Sequence, residues 1–241
     1  MRILVTFIVL ACAIAGTAAG QVPDKFTNLK VLPKDIGKQE LMDTMKGFSA
    51  ALGVRCTACH VQAVPGDFSS FDFASDTRDE KGVTRNMMKM VAKLNGEILP
   101  AATGEDDAQV SCVTCHRGLI NPRTLDQVLL KVAAREGAEA AATRYRELRE
   151  TYYGTGSYDF SPATLLTVAG TLAEGEDLDG ARRLAELNLE MDPDKADGHL
   201  LLARIQLAGG DKAAALTSVD RALAIDPENH RALQLRQQLA P

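Results

Sequence analysis

The chain has 241 residues, 46% of them apolar and 24% charged, with a formal net charge of −5. That length and balance supply enough apolar side chains for one large or two small cores, and exclude a disordered, charge-dominated chain. No cluster of Lys and Arg interrupts the acidic balance, so nucleic acid is excluded as a partner class.

Residues 1–20 read as a secretory signal peptide. Arg2 is a short basic start, residues 3–15 are apolar, and Thr17, Ala18, Ala19 and Gly20 supply a cleavage site. The apolar stretch is too short to span a bilayer comfortably. The rival is a lipoprotein signal, with Val9-Leu10-Ala11 ahead of an acylated Cys12. Either places the mature chain outside the cytoplasm, in the periplasm or lipid-anchored on the outer face of a membrane. Membrane contact is expected only if Cys12 is lipidated. Removing the signal takes away Arg2, its one charged residue, and leaves a net charge of −6.

Residues 21–34, with Pro23 and Pro33, form an irregular arm. From Asp35 the pattern turns helical: Asp35 or Gly37 can cap, Leu41, Met45, Phe48 and Leu52 share a stripe, and Gly53 is placed to stop it. Cys56-Thr57-Ala58-Cys59-His60 follows at once, a C-x-x-C-H. Two thiols one turn apart reach two vinyl groups on one porphyrin edge, and the adjacent imidazole ligates the iron. A lone copy reads equally as a zinc half-site or a redox dithiol. Here a second copy follows, Cys112-Val113-Thr114-Cys115-His116, and with Cys12 removed every remaining cysteine belongs to one of the two. A disulfide framework explains nothing further, and zinc gives no reason for a histidine directly after each second cysteine. Two covalently attached haem c groups are therefore expected as cofactors, with iron held by His60 and His116 and the rings by Cys56, Cys59, Cys112 and Cys115.

A helix reversing just before the motif lies over the opposite face of the ring, so its methionines are candidate sixth ligands. Met45 sits mid-stripe; Met42, one turn earlier, competes; both also suit a core, where Met fills irregular gaps. Residues 61–79 form a loop in which Phe68, Phe71 and Phe73 either cover haem or anchor the loop. A second helix starts at Thr77 or Thr84, with Thr77 and Glu80 as a candidate capping box and Val83, Met87, Val91 and Leu94 as its stripe. Gly96 is expected to end it, and Met87, Met88 and Met90 offer three thioethers. A longer acidic loop with Pro100 and Gly104 leads to Cys112, so the second unit repeats the first. Arg117 is a candidate partner for a haem propionate or a plain surface arginine.

From Thr124 helical patterns run over 124–135 and 138–153. Beyond Pro162 a period of 34 emerges: Asp192-Pro193 recurs as Asp226-Pro227, and Gly180 aligns with Ala214. This is tetratricopeptide length and punctuation, with repeats at 162–195 and 196–229 and a capping helix at 230–239. His199 and His230 read as structural or solvated. The expected organisation is a signal peptide at 1–20, a dihaem cytochrome domain at 21–122 and a helical-repeat domain at 123–241. The fold class is mostly α, short helices and loops followed by a helical solenoid.

The first domain resembles the cytochrome subunit of photosynthetic reaction centres and its non-photosynthetic relatives. The residues carrying this are Leu32-Pro33-Lys34-Asp35, Met45-Lys46-Gly47-Phe48, Ala74-Ser75-Asp76, Met87 through Val91 with Asn95, and Val113-Thr114-Cys115-His116-Arg117-Gly118. The resemblance implies Met45 as the partner of His60 and Met87 as the partner of His116, with Met42, Met88 and Met90 as the neighbours that compete. Photosynthetic members commonly carry four haems and no repeat tail. The expected function is an exported dihaem electron carrier, not an enzyme, whose repeats dock redox partner proteins or a respiratory membrane complex. The alternatives are a dihaem peroxidase, which needs one open distal site, and a repeat scaffold for complex assembly.

Overall fold

The computed structural model describes residues 22–105 and 107–240. The expected signal peptide and Cys12 lie outside the described residues. The chain divides into two compact units, Met1–Gly118 and Leu119–Pro241. The described residues are mostly helical.

In the first unit an irregular arm runs to Gly37, which caps helix α1 (Lys38–Leu52) through its backbone rather than a side chain. Leu41 and Ala51 are buried on this helix. Gly53 ends it at φ 66°, and the amide of Val54 reaches the Ser49 carbonyl at 3.0 Å. That pairing closes the helix end and turns the chain directly into Cys56. The loop after His60 contains a short antiparallel pairing, β1 (Val61–Gln62) with β2 (Phe71–Asp72), in which Val61 faces Asp72 and Gln62 faces Phe71.

Helix α2 (Asp79–Lys93) begins without the expected capping box. Arg78 is the N-cap and makes no side-chain cap, while the Thr77 hydroxyl bonds the Ser75 hydroxyl at 2.7 Å. Of the predicted stripe Val83 is 60% exposed while Met87, Val91 and Leu94 are half-buried, and Lys81, Thr84, Arg85 and Met88 line a cavity. Nor does Gly96 end the helix. Residues Leu94–Ile98 form one π-helical turn that continues into α3 (Leu99–Thr103), and Gly104 stops it at φ 73°. The slip to the wider ring falls just before Pro100, which has no N–H for the ordinary ladder, so a proline that reads as a breaker is absorbed. Helix α4 (Cys112–His116) is one short turn with a capping box between Ser111 and Thr114.

The second unit is a stack of helix pairs: α5 (Leu125–Glu136) with α6 (Ala138–Tyr152), α7 (Pro162–Glu174) with α8 (Leu178–Met191), α9 (Ala196–Ala208) with α10 (Lys212–Ile225), and a closing α11 (His230–Leu239). The last two pairs follow the period of 34, down to their caps. Asp177 accepts from the Gly180 amide and Asp211 from the Ala214 amide, both at 2.9 Å. The pair α5–α6 joins the same stack although its sequence carries no such punctuation. Leu125, Leu129, Tyr145 and Leu148 share one core cluster with Leu165, Val168, Leu184 and Leu187.

Candidate functional site

The first C-x-x-C-H begins with a single 3-10 turn, Cys56–Ala58. The His60 amide donates to the Cys56 carbonyl at 2.9 Å, which closes the turn that carries both thiols onto His60. Cys56 is exposed and Cys59 half-buried, and neither is in a disulfide. Burial pushes the Cys59 thiol above its ordinary range, against a lowering hydrogen bond with Thr84 on α2. Burial, with the charge of Lys81, pushes His60 below its ordinary range, so the imidazole stays neutral and keeps a lone pair near neutral pH.

These residues open on a cavity of about 340 Å³, within the ~300–1,000 Å³ span of small-molecule and cofactor sites. The arm, α1, the first motif, the loop around β2 and α2 all contribute to it. The arm gives Phe26, Leu29 and Leu32; α1 gives Met42, Met45 and Phe48; α2 gives Met88. The hairpin gives the aromatic wall, because Phe71 and Phe73 lie two apart and project to one side. Their rings stack at 5.0 Å between centroids, and Phe73 meets the His60 ring edge-on at 5.2 Å.

Met45 and His60, paired at the sequence level by family resemblance, thus line one cavity, and so does Met42. Met88, a competitor of Met87 in the second unit of the repeat, faces the first cavity. Met87 is half-buried one position away, and Met90 is 45% exposed. Sequence reasoning found the arm but not its place in the cavity wall, nor the cationic side of that wall, Lys30, Lys81 and Arg85. The apolar Leu29, Val31 and Leu32 around Lys30 were the available signal for the arm's part in the wall.

The second motif is placed by two devices. The Asn95 side chain, in the π turn, donates to the Val110 carbonyl and accepts from the Val110 amide, both at 2.9 Å. That clamp fixes the strand two residues before Cys112. Beyond the motif, Arg117 takes φ 49° and the Gly118 amide donates to the Ala51 carbonyl at 2.8 Å. His116 is buried at 8% exposure between them, while Arg117 itself is exposed.

The His60 Nδ1 atom is buried without a hydrogen-bond partner. Among the described residues, no three His, Cys, Asp or Glu side chains converge to hold a bare ion. A half-buried neutral imidazole, two nearby thiols, thioethers and an apolar aromatic wall together fit a thiol-attached metalloporphyrin. No described helix is long and apolar enough to cross a membrane.

A family model described as "Photosynthetic reaction centre cytochrome C subunit" matches residues 12–160, and one described as "Tetratricopeptide repeat" matches residues 172–239. Among curated proteins, a cytochrome c-554 of Chloroflexus aurantiacus is 34% identical over 107 residues. That match covers 44% of this chain and 24% of the relative, so the chain spans about a quarter of the relative's length.

Proposed function

The chain belongs to the family of photosynthetic reaction centre cytochrome C subunits, and from that premise we propose that it is an exported dihaem electron carrier with a repeat module for protein docking. The observation that carries this reading is the cavity that brings His60 together with Met45, Met42 and a phenylalanine wall beside the thiols of Cys56 and Cys59.

Haem, when bound, supplies a one-electron couple. The chain supplies the rest. Cys56 and Cys59 present thiols for two thioether bonds, and Cys112 and Cys115 do the same in the second motif. When haem is bound, His60, kept neutral by partial burial, would be one iron ligand and Met45 the other. His116 and Met87 take these roles at the second site. A His/Met ligand pair would leave a bound iron no free position for a substrate, and a thioether ligand would raise its potential relative to a bis-imidazole pair. The arm and the hairpin phenylalanines, which line the cavity, would keep water off a bound ring. These features favour an electron-transfer protein over a peroxidase. The leader at residues 1–20 supports export to the periplasm, with a lipid anchor at Cys12 as the alternative form. The repeats supply a surface for redox partner proteins, including a respiratory membrane complex.

The test is haem quantitation and spectroscopy of the protein purified from the periplasm of an expression host. Two covalent haems per chain and thioether-to-iron absorption from both are expected; Cys56→Ser with Cys59→Ser, or Cys112→Ser with Cys115→Ser, each removes one. Met45→His lowers one midpoint potential and keeps both haems attached. An unchanged pair of potentials would overturn the ligand assignment.

A further inference from the structure

The first cavity is not uniformly apolar. Its charged lining consists of Lys25, Lys30, Arg55, Lys81 and Arg85 against Asp72 alone, in a chain whose net charge is −5. Three of these cations meet on one carboxylate just outside the lining. Asp76 accepts from Lys30 Nζ at 2.6 Å and Arg85 Nη1 at 2.9 Å, with Lys81 Nζ at 3.5 Å. Asn28 Nδ2 adds a fourth contact at 2.8 Å. One carboxylate neutralises one cation, so this edge of the cavity keeps an excess of two positive charges.

The cations are held in place. Side chains of Lys81 and Arg85 are 12% and 16% exposed. Lys81 is fully committed, donating to the Phe73 and Ser75 carbonyls at 2.8 and 2.7 Å besides facing Asp76. Arg85 spends one N–H on Asp76 and one on the Asn28 carbonyl at 3.1 Å, out of five. Lys30 spends one of three. Asp72 is also occupied, accepting from the Ala74 and Ser75 amides. Partly buried cations in excess are costly unless an anion meets them.

We infer that Lys30 and Arg85, with Asp76 orienting them and Lys81 adding charge, form the carboxylate-binding edge of the first cavity and receive the two propionates of the haem held by His60. This rests on the haem reading above and deepens it: the ligand is an apolar disc with two carboxylates on one edge, and the cavity is an apolar wall with two surplus cations on one edge. The same charges set the potential, because a fixed cation beside the ring favours the form with one more electron, and a fixed anion opposes it.

Redox titration of the full-length holoprotein tests this with variants of opposite sign. Lys30→Gln and Arg85→Gln each shift one of the two waves to lower potential and leave the other unmoved, while Arg85→Lys shifts it less. Asp76→Asn moves the same wave to higher potential. Lys46→Gln, an exposed cation on α1 that does not line the cavity, moves neither. Lys30 is 58% exposed, so its variant is safe for folding. A purely structural role would loosen the site in every variant and move the wave one way only. Unmoved waves in both Gln variants, or a downward shift in Asp76→Asn, overturn the inference while leaving the haem reading intact; a wild-type protein with no haem on Cys56 and Cys59 overturns both.

Discussion

The amide of Gly118 donates to the carbonyl of Ala51 at 2.8 Å, tying the residue two past His116 to the last turn of the helix that feeds Cys56. Sixty-seven positions of sequence are thus closed into one joint, and both C-x-x-C-H turns hang from it. Gly53 completes the joint. Its φ is 66°, and a Cβ there would collide with the Gly118 carbonyl oxygen.

Gly53→Ala therefore carries two costs. The left-handed backbone alone costs ~1–2 kcal/mol for a residue with a Cβ, and the collision adds to it by prising the joint apart. Gly66 separates the two effects, since it holds φ 84° with nothing within 4 Å of a built Cβ. Gly66→Ala is expected to lower stability by the backbone cost alone. Gly53→Ala is expected to lower it further and to reduce haem at both motifs, measured by denaturant midpoints and haem per chain.

What was legible in the sequence follows from the range of the interactions. The α1 helix, its glycine stop and the two motifs depend on neighbours within a turn or two, and periodicity read them. The 34-residue repeats were legible for the same reason, since Asp177 and Asp211 cap locally. What stayed hidden was fixed across the chain. Arg85 on α2 reaches Asp76 and the Asn28 carbonyl of the arm, whereas Thr77 bonding Ser75 and Pro100 following the π turn are local departures that turn and breaker rules did not capture. Lys81 and Arg85 read as surface charges until Asp76 and the Phe73 carbonyl stand beside them.

The Asn95 clamp makes a selective prediction. It satisfies both backbone groups of Val110, and removing it with Asn95→Ala loses two hydrogen bonds of ~1 kcal/mol each net. The strand before Cys112 then loosens while the first motif keeps its own supports. Mass analysis of haem-bearing peptides is expected to show depletion at Cys112 and Cys115 with normal occupancy at Cys56 and Cys59. Equal loss at both sites would mean the clamp supports the whole unit.

Asp76 predicts an acid limb. Its hydrogen bond from Lys30, helped by those of Arg85 and Asn28, outweighs desolvation and holds the carboxyl well below the usual carboxylate range. The folded form binds its proton later than the unfolded form does. Its contribution is therefore complete above the unfolded value of 3.8 and is lost as pH falls below it towards the folded value. Asp76→Asn should be less stable than wild type at pH 5–7, with the difference shrinking as denaturant midpoints are taken at progressively lower pH. A gap that is constant with pH would show that the amide loses packing rather than charge.

The pair α5–α6 gives the last prediction. Its register to the next pair is not 34 residues, because an extended link carrying Tyr153, Tyr158 and Phe160 replaces the short Pro-terminated turn, and the repeat pattern stops at it. Burial tells a different story. Leu129 is 0% exposed and Tyr145 1%, in the same cluster as Leu165 and Leu184, and Phe160 folds back so that its ring meets Tyr145 at 5.7 Å. A solenoid needs neighbours to bury the face of each repeat, so residues 162–241 alone would leave the inner face of α7 and α8 in water. A fragment of residues 119–241 is expected to unfold cooperatively, and one of residues 162–241 to be markedly less stable or to associate. Leu129→Ala in the full chain should cost ~2–5 kcal/mol, read by thermal or denaturant unfolding, although residue 129 lies outside the two repeats the sequence displays. A cost below ~1 kcal/mol, small against the usual core truncation, would place α5–α6 outside the cooperative stack.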